Sequence, residues 1–238
     1  MPGGGEGMAG ASGRLLVTPR DEQIIRWLVR MRLATAAHIG RAFHTTPAAA
    51  ARRARALCRA GLLRRERVLW GLPSLYVVLP AGARLTASPL AASPAIDLAG
   101  LRHDLAIVSL SLDLLEAVPG SLWISEREVR RERAGEDGLG LRTHIPDGVH
   151  VLPDGRRVAV ELELTPKTGR RLGGILRYYA RSRAYDAVRY FLPTPGAAGR
   201  ISALARDLPH VRAEVWIVPA EAGGGDGGGL ACHGVDAR

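Results

Sequence analysis

Three carboxylates and a lysine lie within one short segment of the chain, IPDGVHVLPDGRRVAVELELTPK. The carboxylates belong to Asp147, Glu161 and Glu163, and Lys167 follows four residues after the last of them. Three oxygen donors suit Mg²⁺ or Mn²⁺, which bind through a few carboxylates and keep water molecules that they can activate. Lys167 would orient or deprotonate that water and stabilise the charge developing on a phosphoryl group. The segment therefore predicts metal-dependent hydrolysis of a phosphodiester.

Lys167 is the one lysine among 33 basic residues, the other 32 being arginines. Its ammonium is a compact point charge that a planar guanidinium does not replace, which favours a chemical role. The alternative is that Lys167 is a residual lysine in an arginine-rich chain. In that case the three acids form a solvated sheet face and pair with Arg157, Arg170 or Arg171.

The turn in this segment decides which side chains face each other. A two-residue turn at Asp154-Gly155 would pair Asp147 with Leu162 and turn an ionised carboxylate towards the buried face, which is costly. A three-residue loop, Pro153-Asp154-Gly155, has proline and glycine where a type I turn followed by a left-handed residue needs them. This second register pairs Asp147 with Glu161, at a Cβ separation of about 5 Å. We prefer it because its turn chemistry is favourable and because it keeps Asp147 off the buried face. Like charges this close then require a cation or a proton between them.

The net positive charge lies in the first third of the chain. Residues 14–85 contain 14 arginines and three acids, whereas residues 86–238 contain 19 basic and 19 acidic residues. A basic module joined to a neutral body indicates a polyanion-binding unit attached to a part with another role.

One predicted helix concentrates this charge. At helical spacing Ala50, Ala54 and Leu57 share an apolar face, and the opposite face is basic. Arginine stripes are often only solvated faces, but here a single acid, Glu66, offsets the charge, so an anionic partner is favoured. We predict contacts to the phosphates of double-stranded DNA, with salt-sensitive affinity. The predicted DNA-binding residues are Arg52, Arg53, Arg55, Arg59, Arg64, Arg65 and Arg67.

Three short helices followed by two strands are predicted for the basic module. Threonines at positions 18, 35 and 46 are suited to cap the helices, and Gly61 is suited to end the third. The segments RRERVLW and LYVVLP then predict a two-stranded hairpin. This order is that of a winged helix-turn-helix domain over residues 14–85. A linker rich in Pro, Ala and Ser follows at residues 86–100.

The body, residues 101–219, predicts an α/β domain with a mixed sheet. A long helix is followed by the strand segments LWISEREVR, RTHIPDGVHVL and RRVAVELEL, then by an amphipathic helix, a strand, a helix and a strand. Residues 1–13 and 220–238 are Gly-rich and predict flexible tails. The four tryptophans, including Trp70, stand in apolar surroundings and are expected in the core.

Several classes of protein are disfavoured. Two cysteines 174 positions apart, without partners at metal-ligand spacing, argue against disulfide scaffolds and zinc fingers. The longest apolar stretch, at residues 105–118, is interrupted by Asp113 and is shorter than the roughly 20 residues that cross a bilayer. No apolar signal segment is visible near residue 1. We expect a soluble cytoplasmic protein without a membrane partner.

These residues carry a resemblance to known families. Asp147 after Pro146, with Glu161 on the next strand inside an αβββαβ order, resembles the PD-(D/E)xK nuclease superfamily and its restriction-endonuclease-like fold. The winged helix, LRHDLAIV in the following helix and PDGRRVAVELELTPK make residues 18–218 similar to the replication-relaxation family. That resemblance implies plasmid replication and DNA relaxation in bacteria. The sequence departs from the superfamily at Glu163, which stands where a lysine is expected.

Asp147 and Glu161 match the acids of that superfamily, and with Glu163 and Lys167 they are the predicted catalytic residues, the three acids holding Mg²⁺ or Mn²⁺. Either Lys167 has moved to a position that still reaches the metal, or the site is degenerate. His103, in LRHDLAIV, is a further candidate for contact with DNA or metal, although a lone histidine is more often a helix-surface residue. The first hypothesis is a metal-dependent DNA endonuclease or nickase.

Two other hypotheses stay open. One is a non-catalytic DNA-binding accessory protein or regulator of replication or transcription, with a degenerate nuclease-like body. The other is RNA binding. Replication or mobilisation proteins and a second copy of the chain are the protein partners that these hypotheses allow.

Overall fold

The computed structural model describes residues 15–68, 70–92, 95–136, 144–165, 169–206, 208, 213–217 and 233–235. Within these ranges the chain is a mixed α/β protein with eight helices and two sheets. The predicted tail at residues 1–13 and Lys167 lie outside the described residues.

Three helices and a hairpin form the N-terminal module, residues 15–85, in the predicted order. Each helix begins at a threonine whose side chain accepts a backbone N–H: Thr18 from Asp21, Thr35 from His38 and Thr46 from Ala49. These caps satisfy amides that would otherwise lack partners. The elements are α1 (Pro19–Met31), β1 (Ala34–Thr35), α2 (Ala36–Ala42), α3 (Pro47–Arg59), β2 (Leu63–Glu66), β3 (Leu75–Val78) and α4 (Pro80–Leu85).

The strands of this module form a sheet in the order β1-β3-β2, with both pairs antiparallel. Gly61, at φ +71°, makes the turn from α3 into β2, as the sequence predicted. The short helix α4 was not predicted.

A six-stranded mixed sheet forms the body, in the order β4-β5-β6-β7-β8-β9. Strands β4 to β6 are antiparallel neighbours, β6 to β8 are parallel, and β9 is antiparallel to β8. The elements are α5 (Leu101–Ala117), β4 (Leu122–Ser125), α6 (Glu126–Glu136), β5 (Gly148–Val151), β6 (Arg157–Leu162), α7 (Gly169–Arg181), β7 (Ala187–Leu192), α8 (Pro195–Arg206), β8 (Ala213–Ile217) and β9 (His233–Val235).

The β5–β6 hairpin has the predicted register. Gly148 pairs with Val160, the Leu152 N–H donates to the Arg156 carbonyl at 2.9 Å, and Gly155 has a φ of +86°. The three-residue loop is therefore confirmed.

Two predictions about elements were wrong. The segment LWISEREVR is a strand only as far as Ser125, and a helix follows. Ser125 and Glu128 cap that helix reciprocally: the Glu128 carboxylate accepts the Ser125 N–H at 2.8 Å, and the Ser125 hydroxyl accepts the Glu128 N–H at 3.4 Å. In the C-terminal stretch predicted to be a tail, residues 233–235 form β9 against β8.

The N-terminal module and the body share one hydrophobic cluster. It joins Leu28 and Leu57 of the module to Val108 of α5 and to Val160 of β6. Ala159, which points to the other face of the sheet, belongs to a second cluster with α7 and α8. The segment between the two parts contributes Leu90 to the shared cluster. The module therefore packs on one face of the body sheet, and α7 and α8 cover the other.

In the part of the chain that the structure describes, no helix has the length and apolar character needed to cross a bilayer.

Candidate functional site

Asp147 stands at the start of β5, where the antiparallel hairpin meets α5. Its Oδ2 accepts the Leu162 N–H at 2.8 Å and lies 3.2 Å from His103 Nε2. The same nitrogen is 3.2 Å from the Leu162 carbonyl. The hydrogen bond to Asp147 raises the pKa of His103, burial opposes this, and the Asp147 charge adds to the rise. His103 is therefore a partner of the carboxylate rather than a free surface histidine.

Glu161 is 2% exposed and lies on the sheet face covered by α7. Its Oε1 is 2.6 Å from His144 Nε2 and also accepts the Tyr179 hydroxyl. Burial raises the pKa of Glu161, and the neighbouring charge of Asp147 raises it further, while the contact with His144 lowers it. This carboxylate therefore takes up a proton more readily than a solvated glutamate does.

The charges of the three predicted acids act on one buried hydroxyl, that of Tyr190 on β7. Glu161 and Tyr190 are register partners in the parallel β6–β7 pair. Burial raises the pKa of Tyr190, and the charges of Glu161, Glu163 and Asp147 raise it further. Among the described residues, Tyr190 Oη has no hydrogen-bond partner. The structure thus brings Asp147, Glu161 and Glu163 into one electrostatic neighbourhood.

The described side chains do not fit a shared metal centre. Within these ranges no group of three or more His, Cys, Asp or Glu side chains is arranged to hold an ion. Asp147 and Glu161 are directed to separate histidines, His103 and His144. Lys167, which the sequence assigned to the same site, lies outside the described residues.

Five arginines of the N-terminal module form an exposed basic surface, here called the α3 surface. Ala50, Ala54 and Leu57 are buried on the inner face of α3, as predicted. None of the five forms an ion pair within the described ranges; the Arg65 Nε donates to Ser74 Oγ at 3.1 Å. The members are Arg52, Arg55 and Arg59 of α3, Arg65 of β2, and Arg67, which follows β2.

Arg53 and Arg64 differ from these five. The Arg53 Nε lies 2.6 Å from Asp21 Oδ1, and a second guanidinium nitrogen contacts Asp21 Oδ2 and the Leu16 carbonyl. Arg53 is therefore a link between α3 and α1, and its guanidinium is engaged inside the module. Arg64 is partly buried and pairs with Glu66 at 3.1 Å.

Trp70 corrects a prediction. It was expected in the core, but it is fully exposed in the turn between β2 and β3. Gly71 was the available signal, since its φ of +83° marks a turn and connecting segments run over the protein surface.

Other arginines of the module bind acids of the body. Arg41 lies 2.6 Å from Asp113 and 2.8 Å from Glu116. Arg32 contacts Glu126 at 2.5 Å. The sequence showed the charge imbalance but not this pairing, because the partners are about 70 to 90 positions apart. Among the exposed module arginines without an ion pair in the described ranges, five form the α3 surface, and the other two are Arg20 of α1 and Arg84 of α4.

Comparison of the chain with protein-family models, with curated proteins and with solved structures found no match.

Proposed function

We propose that the chain is a double-stranded DNA-binding protein that grips the phosphate backbone with α3 and the β2–β3 hairpin. The order of three helices and a hairpin, with sheet order β1-β3-β2, supports a winged helix-turn-helix unit. In such units the third helix enters the major groove and the hairpin lies beside it. Trp70 at the exposed turn would then lie against the DNA.

One observation carries the proposal: the division of the module's arginines. Arg30, Arg32, Arg41 and Arg53 pair with carboxylates, whereas the α3 surface does not within the described residues. Five like charges on adjacent elements repel one another, and a polyanion relieves that repulsion. Duplex DNA presents one negative charge per roughly 1.7 Å of its axis, which suits a helix and hairpin rich in arginine.

The test is to replace Arg52, Arg55 and Arg59 together by glutamine. Binding of a fluorescein-labelled duplex is followed by anisotropy over a series of salt concentrations. Each lost phosphate contact should reduce the slope of log K against log[salt] by about 0.9, so the triple variant should lose between two and three units. Affinity at 100 mM salt should fall by roughly tenfold or more.

A matched control removes the same charge elsewhere. Arg102, Arg131 and Arg206 are exposed and lie one each on α5, α6 and α8. Their triple glutamine variant should keep the wild-type salt slope. Equal losses in the two variants would show that net charge alone drives binding and would overturn the assignment to α3.

The setting that we propose is plasmid or mobile-element DNA, with the chain as a replication accessory or regulator. This rests on the resemblance of the winged helix and the PDGRRVAVELELTPK segment to the replication-relaxation family. Replication or mobilisation proteins and a second copy of the chain are the partners that such a role involves. The cytoplasm is the compartment proposed for it.

Phosphodiester hydrolysis is a second candidate, favoured by the sheet register, which sets Glu161 beside Tyr190, and by the charges of Asp147, Glu161 and Glu163, which all raise the pKa of that tyrosine. The antiparallel β4–β6 strands followed by the crossover helix α7 and parallel β7 also support a restriction-endonuclease-like body. The separate engagement of Asp147 and Glu161 by histidines places this candidate second.

Glu161→Gln gives a sharp test of hydrolysis, because both hydrogen bonds to Glu161 end on Oε1, which glutamine keeps. The variant should fold while losing its ionisable carboxyl. Supercoiled plasmid is incubated with wild-type protein and with Mg²⁺, with Mn²⁺ or with neither, and conversion to open-circular or linear forms is measured. If hydrolysis occurs at this site, the wild-type protein nicks the plasmid, and the Glu161→Gln and Asp147→Asn variants do not. Intact plasmid with the wild type, or equal nicking by the variants, would eliminate the candidate.

A further inference from the structure

The body has a second exposed arginine surface, on α7. Exposed positions 170, 174, 177 and 181 fall within about 60° of one another around the helix, at 100° per residue. Three of them are arginines and the fourth is Gly174. Arg171 lies beside this row. We call Arg170, Arg171, Arg177 and Arg181 the α7 surface.

This charge has no acidic counterpart nearby. Residues 169–185 contain five arginines and no Asp or Glu. None of the four members of the α7 surface forms an ion pair within the described ranges. Arg170 and Arg171 are therefore not neutralised by the sheet acids there. Arg157, the third arginine considered for that pairing, contacts Glu132 at 3.6 Å.

The inner face of α7 is fully used by the core. Leu172, Ile175, Leu176 and Tyr179 are buried in the second hydrophobic cluster. Tyr178 is partly buried and contacts Arg133. The outer face thus offers guanidinium groups and glycine, without an exposed aromatic ring on which an unpaired base would stack. It also has no apolar side chain that would insert into a lipid surface.

From this geometry we propose that α7 is a second, independent binding surface for the phosphate backbone of duplex DNA. Arg170 and Arg181 are about 16.5 Å apart along the helix axis, so the row spans several successive phosphates. Gly174 lies in the middle of the row, and a Cβ added there meets no other atom within 4 Å. The backbone can therefore approach a phosphate closely.

The N-terminal module shares a hydrophobic cluster with α5 and with the face of the body sheet that carries Val160, whereas α7 packs against the face that carries Ala159. The α3 and α7 surfaces therefore belong to parts of the chain on different faces of the sheet, and we expect each surface to bind its own duplex. The chain therefore holds two DNA segments at once, an inference that rests on the proposed DNA-binding function.

A bridging assay tests this. Beads carrying a biotinylated duplex are mixed with protein and a fluorescent duplex that lacks biotin, and the captured fluorescence is measured. Wild-type protein should capture the second duplex. The triple variant R170Q/R177Q/R181Q should capture at least fivefold less fluorescence, while still binding one duplex through α3. Undiminished capture by this variant would overturn the proposal.

Gly174→Glu provides an independent variant, with Gly174→Ala as its control. Either side chain fits the open space, and alanine favours a helix over glycine, so both proteins should fold. Glutamate places a negative charge amid the arginines and should abolish bridging, whereas alanine should leave it intact. Equal bridging by the two variants would count against the α7 surface.

The R52Q/R55Q/R59Q variant separates this inference from the proposed function. If α3 binds no DNA but α7 does, R52Q/R55Q/R59Q keeps the wild-type affinity for a single duplex and R170Q/R177Q/R181Q loses that affinity. If α3 binds DNA and α7 does not, R52Q/R55Q/R59Q loses the affinity and R170Q/R177Q/R181Q keeps it. The second result means that the inference fails. Structured RNA and anionic phosphatidylserine vesicles serve as competitors of the second duplex. If either displaces it at a lower concentration than unlabelled duplex does, the choice of DNA as the ligand is overturned.

Discussion

Arg52 and Arg53 are neighbours on α3, yet they lie in different environments. Arg52 is exposed and belongs to the α3 surface, whereas Arg53 turns back towards α1 and pairs with Asp21. Asp21 is buried and also caps α1 reciprocally with Thr18. Burial opposes ionisation of Asp21, but hydrogen bonds from Arg53 and Thr18 outweigh it and lower the pKa of this carboxyl.

Replacing Arg53 by glutamine should therefore destabilise the fold, whereas Arg52→Gln should not. We expect a loss of about 2 kcal/mol in the free energy of unfolding at pH 7, below the value for a fully buried pair because Arg53 is 34% exposed. Because the folded-state pKa of Asp21 is below 3.8, the stabilisation is present above that pH and disappears as the pH falls through the folded value. Urea denaturation of both variants at pH 7 and pH 3 measures this. If Arg53→Gln left the free energy of unfolding at pH 7 unchanged, the structural role of Arg53 would be contradicted.

At the level of single residues, the sequence predicted which acids lie together but not their partners. Asp147 and Glu161 could be placed side by side from the loop between their strands. The donors that hold them, His103 and Tyr179, come from helices 44 and 18 positions away. Their approach depends on how those helices pack on the sheet, which local spacing does not encode.

Elements with strong local signals were predicted well. The threonine caps of α1, α2 and α3 are satisfied within three residues, so the pattern is visible without tertiary information. The loop Pro153-Asp154-Gly155 is equally local and fixed the hairpin register. Short-range backbone chemistry decided these features.

Elements that depend on a missed cap or on a distant strand were predicted poorly. The apolar alternation of LWISEREVR predicts a strand throughout, but Ser125 and Glu128 form a capping box at which α6 begins. Strand β9 has a Gly-rich surrounding sequence with little strand propensity of its own. It forms because β8 offers backbone groups for pairing, as in the Val215–Val235 pair.

For the whole molecule, the charge distribution separates a basic N-terminal module from a neutral body, but the two parts share one hydrophobic core. Leu28, Val108 and Val160 belong to one buried cluster, and Arg32 and Arg41 bind acids of the body. The excess positive charge of residues 14–85 is therefore partly neutralised by the body. Most of the module's arginines that have no ion pair within the described ranges are exposed on α3 and on the segment from β2 to Arg67.

Because the module and the body share a core, they should unfold together. Native-state hydrogen exchange at increasing urea concentrations, analysed by mass spectrometry, compares opening of α1 near Leu28 and Val29 with opening of β6 near Val160. All three residues are fully buried. The free energies of opening should agree within about 1 kcal/mol and fall with the same dependence on urea, as expected for one cooperative unit.

Arg41→Gln extends this test, because Arg41 contacts Asp113 and Glu116 of the body while belonging to the module. Loss of these contacts should lower the opening free energy of α1 and of β6 by the same amount. A control at Arg102, which is exposed on α5, should change neither. If α1 opened at lower urea than β6, or if Arg41→Gln affected α1 alone, the module would be a separate folding unit. The shared core would then contribute little to its stability, and the two DNA surfaces would move independently.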